Sequence, residues 1–221
     1  MKKAVILIGP IGSGKGTQAD ILAEKFGFIH LETSKLLEYE FKNGDQSDPK
    51  LIEQRKLWES GILCDPEWVT DLTLKEIDRL AEQGKGIVFS ASPRTLFEVE
   101  RQAPELEKVF GKENIHIFHI GLSEAESIKR NSGRRICEEN RHPIPNFPEF
   151  KDMTACPRDG SKLLTRELDK PEIIKVRYQE YLNRTFPILG YLQERDYKII
   201  RINGEQSIEK VSEDILKSLN D

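Results

Sequence analysis

The apolar run Ala4-Val5-Ile6-Leu7-Ile8 passes without a break into Gly9-Pro10-Ile11-Gly12-Ser13-Gly14-Lys15-Gly16-Thr17. A short continuous apolar run bounded by a turn fits a strand buried on both faces, the usual state of a parallel strand. The glycines then impose a turn, and a polar, helix-competent stretch begins at Lys15. Strand, glycine-rich turn and helix start, in that order, are the setting in which G-x-x-x-x-G-K cradles phosphate. Backbone N–H groups can converge on an anion without obstruction by Cβ atoms. The helix offers its positive end, and Lys15 adds a mobile cation. The expected phosphate contacts are Gly12, Ser13, Gly14, Lys15, Gly16 and Thr17. Position 16 is glycine rather than Ser or Thr, so the hydroxyl comes one residue later, at Thr17.

Further β-rich runs stand at 86–91, 115–120 and 197–202, with a weaker one near 28–31. Between them, apolar residues spaced by three and four predict helices at 15–26, 34–43, 50–60, 67–83, 123–132, 171–194 and 207–219. Strands alternating with helices predict an α/β fold, a parallel sheet covered by helices on both faces. Residues 134–168 break the pattern. They open with Arg134-Arg135, carry several prolines and have little periodicity, and a segment of that length inside a domain is usually functional or disordered.

At 221 residues the chain is long enough for one large domain with insertions. Its formal net charge of −4 gives no sign of a nucleic-acid surface. The start, Met1-Lys2-Lys3-Ala4, imitates a signal peptide, but the apolar run ends too soon in Gly-Pro, and no stretch approaches a membrane span. Three cysteines, an odd number, point to a reducing compartment, and the expectation is a soluble cytoplasmic monomer. His30, His116, His119 and His142 sit in strand or loop contexts and read as structural.

Four further landmarks follow the glycine-rich loop: Thr33, Ser92-Pro93-Arg94-Thr95, Gly133-Arg134-Arg135, and the pair Arg166 and Arg177. In this order, from residue 4 to about 202, the chain resembles the adenylate kinase family of nucleoside monophosphate kinases. The resemblance implies a three-layer P-loop core (1–32, 65–133 and 169–221), a helical monophosphate-binding insertion at 33–64 and a lid at 134–168. It implies reversible transfer of the γ-phosphoryl of ATP, with Mg²⁺, to a nucleoside monophosphate, most often AMP. Lys15, Arg94, Arg134, Arg166 and Arg177 would be catalytic. Arg130 and Arg134 would join the loop on ATP, while Thr33, Leu37, Arg94, Glu98, Arg166 and Arg177 would hold the acceptor. The chemistry explains the arginines: phosphoryl transfer requires positioning and charge stabilisation, and a guanidinium offers paired donors that fit phosphate oxygens. Arg135, Arg141 and Arg158 have no such assignment.

Three positions depart from the family pattern. Glu38 stands where an arginine usually meets the acceptor's phosphate, with Lys35 and Lys42 on the same helical face as substitutes. Ser90 stands where an aspartate commonly holds the waters around Mg²⁺, which predicts slower turnover or a substitute carboxylate. Glu98 stands where a glutamine commonly reads adenine. A carboxylate accepts only, so Glu98 either shifts the base preference, helped by the bulk of Trp58, or lies exposed on a helix. The alternative function is a nucleotide-binding member of the family with altered base preference or degraded catalysis.

Some members of the family hold the lid with zinc, and others use hydrogen bonds among polar side chains. Here Cys137, His142, Cys156 and Asp159 would make a zinc set, whereas Asn140 and Asp159 fit the metal-free scheme. Cys64 reads as buried packing.

Overall fold

The computed structural model describes residues 3–140 and 142–220; Met1, Lys2, Arg141 and Asp221 lie outside the described residues. The chain begins with β1 (Ala4–Ile8), α1 (Lys15–Phe26), β2 (Ile29–Leu31), α2 (Thr33–Asn43), α3 (Pro49–Ser60) and α4 (Pro66–Ala81). It continues through β3 (Ile87–Phe89), α5 (Leu96–Phe110), β4 (Ile115–Gly121) and α6 (Glu124–Ser132). The insertion at 134–168 supplies β5 (Arg135–Cys137), β6 (Pro143–Ile144) and β7 (Leu163–Thr165). The chain then returns as α7 (Pro171–Glu180), α8 (Pro187–Glu194), β8 (Ile199–Asn203) and α9 (Ile208–Asn220).

Five strands form a parallel sheet in the order β2-β3-β1-β4-β8. Strand β1 is central and all five of its residues are buried, as the unbroken apolar run requires. Its side chains alternate between two cores. Ala4, Ile6 and Ile8 face Ile77 and Leu80 of α4, Val99 and Leu106 of α5 and Ile188 of α8. Val5 and Leu7 face Ala19 and Leu22 of α1 with Val211 and Ile215 of α9. Each fully buried side chain of this size is worth roughly 1.5–3 kcal/mol, which fixes the register of the strand that carries the phosphate loop. The chain leaves β1 toward β2 and β3 on one side and toward β4 and β8 on the other. Ligands in open α/β sheets bind outside the strand ends at such a reversal.

The structure departs from the expected elements in three places. Helix α5 was not foreseen: Pro104 interrupts its middle, yet Val99, Ala103, Leu106 and Phe110 keep helical spacing and are buried. Pro104 and Glu100 both lie on the exposed face, so the Glu100 carbonyl that loses its partner can turn to water. The expected single helix 171–194 is two helices joined by a π turn, Tyr181–Thr185, in which Phe186 N donates to Tyr181 O at 2.8 Å. Pro187 has no N–H, so the ladder must shift around it. The segment 134–168 is not a bare loop. It folds into a small antiparallel sheet in the order β6-β5-β7.

Candidate active site

The loop after β1 needs two residues at positive φ, Gly12 at 80° and Gly14 at 91°. A side chain at Gly12 would also collide with Asn131. Gly14 caps α1 without a side-chain bond, so the first-turn N–H groups of the helix are left to face an anion. The Lys15 ammonium lies back over the loop and donates to Gly9 O and Pro10 O at 2.7 Å each and to Ser13 Oγ at 3.3 Å. Its enclosure, together with repulsion from Arg94, Arg177 and Arg134, brings its pKa down to about 7.

A cavity of about 320 Å³ opens above this loop. The loop residues Gly12 to Thr17 line it together with Arg130, Arg134 and Arg166. Thr33, Leu37, Arg94, Glu98 and Arg177 line the same cavity. The sequence separates these groups by up to 165 positions, and the fold brings all of them to one space. Thr33 is buried at the start of α2, and its hydroxyl has no partner in the protein.

The arginines are held in distinct ways. Arg134 pairs side-on with buried Asp169, through Nε at 3.0 Å and Nη2 at 2.6 Å. Arg130 donates to Glu126 Oε1 at 2.9 Å and to Gly204 O at 2.8 Å, with Phe147 against its face. Arg94 is fixed by Nε donating to Ala91 O at 2.7 Å, and its own carbonyl accepts from Thr185 Oγ1 at 2.8 Å. The π turn thus ties Arg94 to the helix that carries Arg177. Arg177 has a buried Nη1 with no hydrogen-bond acceptor. Enclosure and the charges of Arg94, Arg134 and Arg166 bring its pKa down to about 9. Asp169 offsets part of that repulsion, and the free Nη1 leaves one buried donor that an anion can take up.

Glu98 is not an exposed helix residue: it is only 3 % accessible. Burial raises its pKa against the pull of Arg94, Ser92 and Thr95. Oε2 accepts from Arg94 N at 2.9 Å and Ser92 Oγ at 3.1 Å, and Oε1 accepts from Thr95 Oγ1 at 3.1 Å. The Thr95 side chain in turn accepts from Glu98 N at 3.2 Å, a reciprocal cap on α5. Because α5 was missing from the expected helices, its cap was missed too. Glu38 is half-buried on α2 and does not line the cavity, and Lys35, offered as its substitute, pairs with Glu32.

Sequence reasoning also missed Asn131, Gly204, Gln206 and Ile208, all on the cavity wall. Gly204 and Gln206 lie in the turn between β8 and α9 and Ile208 opens α9, where nothing but the sheet order signals proximity to the phosphate loop. His30 is more than a packing residue. Its Nδ1 lies 2.8 Å from Asp20 Oδ1 and its Nε2 lies 2.7 Å from Ser90 Oγ. Arg158 reaches from a turn of the segment 134–168 to Asp20 Oδ2 at 3.2 Å, whereas Arg135 ties that segment internally to Met153 O and Phe150 O.

Within the segment 134–168, Cys137, His142, Cys156 and Asp159 place one ligand atom each within 4.8 Å of the others. Cys137 Sγ–Asp159 Oδ2 and His142 Nδ1–Cys156 Sγ are both 3.4 Å, and His142 Nδ1–Asp159 Oδ2 is 3.2 Å. Hydrogen bonds from Asn140 and Ser161 hold the Asp159 carboxyl well below the usual carboxylate range. Among the described residues no helix is long and apolar enough to cross a membrane.

The family model for adenylate kinase matches residues 7–197. The chain is 32% identical over 217 residues to the adenylate kinase of Oceanobacillus iheyensis, covering 96% of each protein. It is 32% identical over 215 residues to that of Methanocella arvoryzae, covering 95% of each. Against adenylate kinase 2 of Schistosoma mansoni it is 33% identical over 221 residues, covering 96% of this chain and 86% of that protein. The likeness runs nearly end to end, and the chain belongs to the adenylate kinase family.

Proposed function

We propose that the chain transfers the γ-phosphoryl group reversibly between ATP and AMP, with ATP on the loop of residues 12–17 and AMP between Thr33 and Arg94. The observation that carries this reading is the unpaired Nη1 of Arg177 among Lys15, Arg94, Arg134 and Arg166. Such an excess of positive charge around one cavity suits two phosphorylated ligands meeting end to end. Arg94 and Arg177 hold the acceptor phosphate in line, Lys15 and Arg134 hold the donor, and Arg166 closes on the transferred group. The acceptor phosphate is already an anion, so no general base is required. Residues 33–64 act as the monophosphate-binding unit, and residues 134–168 close as a lid that excludes water. One chain supplies every phosphate-facing side chain, which supports a working monomer.

Mg²⁺ fits this site as an ion brought in by the nucleotide. Mg²⁺ keeps most of its waters and phosphate oxygens as ligands, and Thr17 and Ser90 each bring a hydroxyl to the cavity wall. When bound it neutralises charge on the phosphates.

Glu98 supports adenine as the acceptor base. Two protein donors already occupy Oε2 and one occupies Oε1. When Ser92 directs its one proton to Oε2 rather than to Gln102 Oε1, 3.0 Å away, the carboxylate retains one free acceptor position, enough for a single amino group and too few for the two donors on the pairing edge of guanine. A coupled assay with ATP·Mg²⁺ against AMP, GMP, CMP and UMP tests this. AMP is expected to lead GMP by at least tenfold in kcat/KM, and equal or better use of GMP would overturn the assignment.

Zinc in the lid is part of the same reading. Bond lengths of about 2.3 Å to sulfur and about 2.0 Å to nitrogen or oxygen make the edges of a zinc tetrahedron about 3.3–3.8 Å. The separations of 3.4, 3.4 and 3.2 Å fit that figure closely. The purified enzyme is expected to contain about one equivalent of zinc, and chelation should lower its melting temperature. Less than a tenth of an equivalent would leave the lid to its hydrogen bonds. Thiolate ligands need a reducing compartment, which supports the cytoplasm as location.

A further inference from the structure

Ser90 follows directly on β3, which pairs with β1 so that Phe89 lies opposite Ile6, just below the phosphate loop. It is 7 % accessible and lines the cavity. The carboxylates on the cavity wall among the described residues are Glu32, Glu98 and Glu180. Glu98 is committed to its cap, and Glu180 is engaged by Leu63 N and Arg184. Glu32 pairs with Lys35 and lies 3.7 Å from His30 Nδ1. None of these carboxylates is bonded to Ser90. The acidic group behind Ser90 is Asp20, reached through His30.

The hydrogen-bond directions along this chain follow from the groups themselves. An ionised carboxylate can only accept, so His30 Nδ1, 2.8 Å from Asp20 Oδ1, must carry a proton. Burial of Asp20 works against its charge, yet His30 and Arg158 hold its pKa below the ordinary value, so it remains an acceptor. In neutral His30 the second nitrogen, Nε2, is then bare. Ser90 Oγ lies 2.7 Å from it and must donate its only proton there. The oxygen of Ser90 is left with its lone pairs and no proton to turn toward the phosphates.

We propose that Asp20 and His30 are positioning residues that lock the Ser90 hydroxyl as a pure acceptor facing the phosphate cavity, where it receives hydrogen bonds from the water shell of the divalent cation that accompanies ATP. A serine free to rotate would present its proton to that shell part of the time, and a proton facing metal-bound water is repulsive. The chain thus gives a neutral side chain the one-sided acceptor character of a carboxylate, with the negative charge set back at Asp20. This inference rests on the phosphoryl-transfer reading given above.

The test has a structural arm and a functional arm. In the ligand-free protein above neutral pH, ¹⁵N spectra of the imidazoles are expected to show His30 protonated at Nδ1 and bare at Nε2. The opposite tautomer would overturn the proposal whatever the enzyme does. In the functional arm, His30→Ala is expected to raise the Mg²⁺ concentration for half-maximal rate about tenfold, the size expected for loss of a partner behind a metal's contacts. It should weaken the Mg²⁺-dependent gain in ATP affinity, read by calorimetry, to the same extent. Adding Ser90→Asp to His30→Ala should recover both. Unchanged Mg²⁺ dependence in His30→Ala, or failure of the double variant to recover it, sinks the idea. If His30→Ala does not fold, Asp20→Asn replaces it, because an amide at that place can donate to Nδ1 and reverse the chain. Absence of phosphoryl transfer in the wild-type enzyme would defeat the kinase reading, while the tautomer and the metal-assisted ATP affinity would still report on the chain.

Discussion

Replacing Arg177 with methionine is expected to lower kcat/KM by about 10³-fold, within the range seen when an arginine that stabilises a transferring phosphoryl is lost. The same change should raise the melting temperature of the ligand-free protein by roughly 2–4 °C, the shift produced by about 1 kcal/mol in a chain of this size. The two effects have one cause. The guanidinium is enclosed with Arg94, Arg134 and Arg166, one of its nitrogens lacks an acceptor, and its pKa is down to about 9. The fold bears that repulsion until phosphate arrives, so removing the charge relieves the empty protein and disables the loaded one. Thermal melts with and without nucleotide, alongside the coupled assay, check both signs. A melting temperature that falls while activity persists would make Arg177 a structural cation.

Lys15→Met is expected to reduce kcat by about 10³-fold or more, because among the described residues Lys15 is the only lysine lining the cavity. Its more informative consequence is in proton balance. The Lys15 pKa falls from 10.5 to about 7 through enclosure and the charges of Arg94, Arg177 and Arg134. Phosphates neutralise those charges and restore the protonated form. ATP binding above neutral pH should therefore take up a proton, and Lys15→Met should abolish that uptake. Calorimetry in buffers of different ionisation enthalpy reads it directly. The stability sign follows from the same shift. Between pH about 7 and 10.5 the unfolded chain holds more protons on this residue than the folded one, so its contribution to stability rises with pH across that window. Lys15→Met should flatten that part of the stability profile, and a profile that keeps its slope would move the titration to another group.

Much of the site was legible because local sequence dictates local geometry. Glycine suits the φ of 80° and 91° at positions 12 and 14, and the five-residue apolar run before them, ended by a glycine-rich turn, fits the inner strand found there. The arginines could be named by order and chemistry. What local reading could not supply was the state of each side chain. Glu98 was legible as a departure from the family pattern, but its burial depends on α5, whose Pro104 hid the helix. The break at Tyr181–Thr185 was invisible because residues 171–194 keep helical spacing on both sides of Pro187. That break carries Thr185 to the Arg94 carbonyl, so an irregularity in one helix positions an arginine 91 residues away.

By itself the sequence determined the phosphate loop, the parallel α/β core and the identity of the cations, since periodicity, glycine conformation and charge type are properties of short segments. The tertiary structure alone decided that Asp20, His30 and Ser90 form one chain and that Arg177 Nη1 is left without an acceptor, and it brought together the set Cys137, His142, Cys156 and Asp159 that the sequence had only offered. Those facts depend on distances between segments far apart in the chain. Such distances are set by how two cores pack against one sheet, which the order of residues along the chain does not encode locally.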